Sequence, residues 1–177
     1  MNNLKRASFV LIASVFLAGF LGLAVFAEGE ENAENNLTDV QINTIIDHCD
    51  TMKDNLKSLQ RVDSRTRVYL GRYYETILTN FITPLNLRLV ENNFSNPALL
   101  ENQTNFANRR NVFVTDFILY QQALEELVNV NCKNEPVRFY EKLLVARERR
   151  KIVNKDATKL KAMADEQMKL VEELKNG

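Results

Sequence analysis

Apolar positions recur at alternating steps of three and four through the body of this chain. Between Thr38 and Ile82 the series is Ile42, Ile45, Cys49, Met52, Leu56, Leu59, Leu70, Tyr73 and Ile77. That spacing places one apolar stripe along a long amphipathic helix, the pattern that buries a seam against partner helices. Leu37-Thr38-Asp39 supplies its start: a hydroxyl or carboxylate to cap the first free N–H groups, with Leu37 as a staple. A helix of about 44 residues extends roughly 65 Å and needs partners of similar length to offset its ordering entropy. The stripe is interrupted at RVDSRTR (61–67), where Asp63 and Thr66 take positions that Leu or Ile would fill. One reading is a second start, with a helix ending near Gln60 and another capped by Asp63 or Ser64. No Gly or Pro supports that break, so the expectation is a continuous helix with one polar layer. Gly71, inside the resumed pattern, is expected to mark a close helix–helix approach. Pro84 cannot donate to the carbonyl four residues back, so the first helix is expected to span about 39–82, with Pro84 either ending or kinking it. Leu85, Leu87 and Leu89 alternate as in a strand, whereas Leu85, Leu89 and Val90 suit another helical turn or two equally well.

Asn96-Pro97 is a second start, a capping amide followed by Pro at the first helical position. Leu99, Phe106, Phe113, Phe117, Tyr120, Leu124 and Leu127 carry the three-four spacing to about Asn131, with Arg110 on the same stripe. Pro136 opens a third helix over about 136–175 by the same logic. Its stripe runs Phe139, Leu143, Ala146, Val153, Ala157, Leu160, Ala164, Val171 and Leu174, with Arg150 and Gln167 as polar members.

Short connections make neighbouring helices antiparallel, so the expected fold is all-α: an elongated, coiled-coil-like antiparallel three-helix bundle, up-down-up, over 38–177. With the first turn centred near residue 90, Cys49 falls opposite Cys132, and the two are expected to form a disulfide. A first helix running on to Val90 would slip that match by about 9 Å, which favours the earlier stop. The same register brings Arg150 level with Asp63 and Ser64, opposite Phe117. Asp63 and Arg150 are therefore expected to meet as a partly buried ion pair that fixes register, the alternative being that both side chains snorkel outward.

Ahead of the bundle, Lys5 and Arg6 precede an apolar run from Phe9 to Ala27, and the chain turns acidic at Glu28. This reads as a secretory signal over 1–27, cleaved after Ala27. A run of about 19 apolar residues is also near the lower limit for a membrane span, so an uncleaved anchor contacting the membrane through residues 7–27 is the rival reading. Residues 28–37 open with four Glu and three Asn, a composition that cannot bury a core, and read as a flexible linker.

Charge narrows the partners. The formal net charge is zero, from 23 basic and 23 acidic residues, so no nucleic-acid partner is expected. The two cysteines behind an export signal suit one disulfide. His48 is the single histidine and adjoins Cys49, but adjacent helical side chains point about 100° apart, so the two form no catalytic pair. Without a second His or a CxxC no metal site is expected, and no cofactor loop or nucleophile elbow occurs. Arg147, Arg149 and Lys151 in the RERRK stretch form a possible basic contact face for anionic lipid or polymer. The plainer reading is a solvated helix face paired with acidic neighbours.

The stretch RVDSRTRVYLGRYYETILTNFITPLNLRLVENN (61–93) resembles exported helical proteins of reduced-genome candidate-phylum bacteria. The resemblance implies a bacterial envelope or secreted setting and carries no functional residues over. The expected function is that of a non-enzymatic interaction or spacer protein acting on a protein partner in the envelope or extracellular space, with self-association possible. The alternative is a membrane-anchored protein whose third helix meets anionic lipid or polymer, and a remote one is an exported hydrolase.

Overall fold

The computed structural model describes residues 37–94 and 96–176. The signal or anchor segment lies outside the described residues, as does the acidic linker apart from Leu37, which packs on the core. Every regular element among the described residues is helical: α1 (Asp39–Asp47), α2 (Cys49–Thr76), a π-helical segment (Ile77–Ile82), α3 (Thr83–Glu91), α4 (Pro97–Asn129) and α5 (Pro136–Asn176).

Local chemistry sets the ends. Thr38 and Gln41 form a reciprocal capping box, the Thr38 N–H donating to Gln41 Oε1 at 2.9 Å and the Gln41 N–H to Thr38 Oγ1 at 3.3 Å. Asn96 Oδ1 accepts from the Ala98 N–H at 3.0 Å, with Pro97 at the position where a missing N–H costs nothing. Asn131 Oδ1 accepts from the Lys133 N–H at 3.1 Å and orders the turn into Pro136. At the end of α3, Asn93 takes φ 64°, the left-handed region that Asn tolerates. Its N–H donates to Val90 O at 3.0 Å and that of Phe94 to Leu89 O at 2.8 Å, the two bonds of a Schellman motif.

The first run differs from the sequence expectation in four ways. It does not end at residue 82: Pro84 neither stops it nor breaks its direction into a loop, and α3 continues to Glu91. The preceding turn widens instead, with the Thr83 N–H reaching back to Leu78 O, which takes up the strain that Pro would impose on a regular α-turn. It is also divided at His48 (φ −102°, ψ 10°), although the ladder carries through, the His48 N–H bonding Thr44 O at 3.1 Å. Through 61–67 α2 is unbroken. The buried seam takes Tyr74 rather than Tyr73, because Asp63 stays on the seam and Leu70 and Tyr74 follow it by seven and then four residues. Gly71 marks no close approach, since a Cβ there would meet nothing within 4 Å.

Partner numbers fall along α4 as they rise along α2, from Asp63 with Tyr120 to Glu75 with Arg110, so these helices are antiparallel. Along α4 and α5 the pairs Glu126–Lys142, Arg109–Asp156 and Asn102–Gln167 run antiparallel as well. The core between them is rich in Phe on α4 and mixes large and small apolar side chains on α5: Phe106, Phe113, Phe117 and Leu124 against Phe139, Ala146, Val153 and Leu160. Tyr74, Phe113 and Phe117 meet edge to face, with centroids 5.3 and 5.6 Å apart.

Cys49 and Cys132 sit at disulfide distance, Sγ–Sγ 2.00 Å and Cα–Cα 5.6 Å. They stay level although the first run reaches Glu91, so the slip expected for a late turn does not occur. Val130 leaves α4 in extended conformation (ψ 137°), and extended residues advance about twice as far as helical ones. The chain thus reaches the height of Cys49 with fewer residues than a continued helix would need.

Candidate functional site

Three polar layers cross the interior, each built by side chains from α2 or α3, α4 and α5. In the first, Asp63 is 3% exposed and accepts from Tyr120 Oη at 2.5 Å, while Arg150 brings Nη2 to 3.7 Å from its other oxygen. Beside them Gln121 Nε2 donates to Ser64 Oγ at 3.0 Å, and Ser64 Oγ donates back to Gln60 O at 2.7 Å. Burial, then the bond to Asp63 and its negative charge, push the Tyr120 phenol well above its ordinary range. Tyr120 therefore keeps its proton and acts as a donor.

One turn-cluster along, Arg109 Nη1 donates to the buried Asp156 Oδ1 at 3.0 Å, and Asp156 Oδ2 has no hydrogen-bond partner among the described residues. Asp116 lies against Asp156. Desolvation first, then the adjoining Asp156 carboxyl and its charge, raise the Asp116 carboxyl above its ordinary range, and Arg149 and Arg109 only partly oppose this. Arg110 pairs with Glu75 on the same level. Tyr74 Oη donates to Ala157 O at 3.3 Å, its phenol pushed up to about 12 by burial and by Tyr73.

The third layer is uncharged. Asn86, 2% exposed, donates to Leu99 O at 3.0 Å and to Gln103 Oε1 at 2.8 Å, and accepts from Gln167 Nε2 at 3.0 Å. Asn102 Nδ2 donates to Gln167 Oε1 at 2.9 Å, closing a chain across α3, α4 and α5.

The residues of the basic stretch do not share one face. Arg147 and Lys151 are exposed about 40° apart around α5, whereas Arg149 falls roughly opposite, towards α4 and Asp116. Lys151 is bound to Glu148 at 3.2 Å. Elsewhere on α5, Arg138 pairs with Glu135, Lys142 with Glu126 and Lys161 with Asp165.

A different basic surface lies on α2. Arg61, Arg65 and Arg72 are exposed and make no ion pair among the described residues. Next to them Val62 (56% exposed), Tyr69 (52%) and Tyr73 stand in solvent, the two tyrosine rings stacked 6.4 Å apart at 9°. Phe81, 65% exposed, continues this line, because the widened π-turn absorbs a residue between it and Tyr73. The string RVDSRTRVYLGRYY carried this signal, but it is visible only once Asp63 is known to turn inward and leave the arginines without an acid.

Comparison with known proteins returns no matching family, no matching curated protein and no matching solved structure.

Proposed function

We propose that this chain is an exported, non-enzymatic interaction or spacer protein: an elongated up-down-up helical bundle that presents long helical faces to another protein of the envelope or secreted fraction. The observation that carries this reading is the division of labour between inside and outside. Interior polar groups such as Asp63, Asn86 and Gln167 are spent on one another, where they set register, while tyrosines, valines and arginines of α2 remain outside without partners. In a site built for chemistry, titratable groups would converge on a concave space. Here the ionisable layers are filled by side chains, and a shallow open trough between Asn102, Arg109, Lys159 and Glu166 is lined by long flexible ones. An exported hydrolase is accordingly the remote reading. The body is placed outside the cell by the leader, cleaved after Ala27. Retained, it would make the protein a membrane-anchored one, with α5 towards lipid. That second reading draws less support, since four α5 cations, Arg138, Lys142, Lys151 and Lys161, are already neutralised by neighbouring acids. Affinity capture of the exported form from the cells that make it, with identification of what co-purifies, tests the interaction reading. Capture of no protein at stoichiometric level would count against it.

A further inference from the structure

We infer that the exposed flank of α2 facing α5 is a docking groove for an acidic amphipathic helix of a partner protein, a deeper statement that rests on the interaction reading above. The groove follows from how the three long helices meet. α4 packs its backbone closely against both α2 and α5, whereas α2 and α5 are bridged by long side chains, Tyr74 to Ala157 O and Arg150 to Asp63. Two helices held apart on one side leave a furrow. Its wall on α2 is Val62, Tyr69, Tyr73 and Phe81, all exposed and all within about 50° of one another around the axis. The stretch from Val62 to Phe81 is about 28 Å long, the span of roughly five helical turns.

Charge selects the occupant. Arg61, Arg65 and Arg72 crown the outer edge of this wall, and Arg147 stands exposed on the α5 side. The one acid within 61–72, Asp63, is buried and already holds Tyr120 and Arg150. A helix with an apolar seam and Glu or Asp on its flanks would cover the tyrosines and meet the three arginines of the α2 edge on one side and Arg147 on the other, the helix-in-groove mode of recognition. Arg also stacks on aromatic faces and grips carboxylates through two donors, so the Arg–Tyr combination suits a carboxylate-flanked seam. A second copy of this chain is disfavoured, because two such grooves face to face would oppose Arg61, Arg65 and Arg72 to their own copies. A bilayer is disfavoured by geometry. The arginines are outermost on α2 and the tyrosines lie on its flank, so a plane would touch guanidinium groups while the rings stayed in the furrow.

The test uses the full exported chain with its disulfide intact. The probe is a synthetic amphipathic helix of about four heptads, with a leucine seam and glutamate flanks. The same peptide with lysine flanks, phosphatidylglycerol-containing vesicles and sedimentation of the protein alone make up the other arms. The expected result is salt-dependent binding of the glutamate-flanked peptide only, weakened by about tenfold or more in R65E/R72E and again in Y73A. These positions are exposed, and an unchanged helical circular-dichroism melt confirms that the variants fold. Equal binding of both peptides, no binding of either, or indifference to R65E/R72E overturns the inference. Vesicle binding lost in R65E/R72E would assign the face to lipid, and self-association lost in the same variant would assign it to a second copy; either overturns it too. None of these outcomes touches the interaction reading itself, which stands or falls on what the cellular capture retrieves.

Discussion

Tyr120 Oη lies 2.5 Å from Asp63 Oδ2, and this bond, rather than the ion pair at 3.7 Å, is the closest hold on the buried carboxylate. A phenol is a neutral donor that is cheap to bury, whereas Arg150 stays partly in water and is screened there. Tyr120→Phe is therefore expected to lose about 1.5–3 kcal/mol, the worth of a hydrogen bond to a charged group. In double-mutant cycles read by urea unfolding, Asp63 should couple more strongly to Tyr120 than to Arg150. A larger Asp63–Arg150 coupling would reverse that ranking.

Asp116 and Asp156 should make stability depend on pH in the direction opposite to an ordinary salt bridge. The Asp116 carboxyl is raised by desolvation and by Asp156, so the folded state holds its proton more tightly than the unfolded state does. Stability from this group is full below the ordinary Asp range and falls as pH rises through the folded value. Asp116→Asn cannot ionise, and its amide can donate to the orphaned Asp156 Oδ2. Melting temperatures followed from acid to neutral pH should show the variant gaining on the parent as pH rises. Parallel profiles would mean that the two carboxylates do not share a proton.

Linking Cys49 to Cys132, 83 residues apart in sequence, constrains the unfolded chain. In the chain-entropy model the replacement of both by Ala costs about 4–5 kcal/mol. The native protein should resist thiol labelling until reduced, and should melt well below its oxidised form afterwards. Labelling of the unreduced native protein would show that the pair is not closed.

The helix starts at Thr38, Asn96 and Pro136 were legible because capping chemistry is local. Asp63 and Arg150 stand out in the sequence as charged interruptions of two apolar stripes. Tyr120 did not stand out, because an aromatic on a seam looks like core until its hydroxyl has a partner. Asn86 was missed for a related reason: it follows Pro84, where the sequence signals a stop, and the π-turn that carries the helix past Pro84 has no residue signature. The Arg61–Arg72 surface was illegible as such, since in sequence Asp63 sits among the arginines and only the fold turns it away.

A photo-crosslinking residue placed at position 73, in the tyrosine line of α2, tests the function most directly when compared with one at exposed Gln122 on the outer face of α4. Carried out on the full-length chain in the cells that make it, the account predicts a discrete adduct with another polypeptide at position 73 and none at 122. Adducts of equal yield at both positions, or lipid alone at position 73, would contradict it.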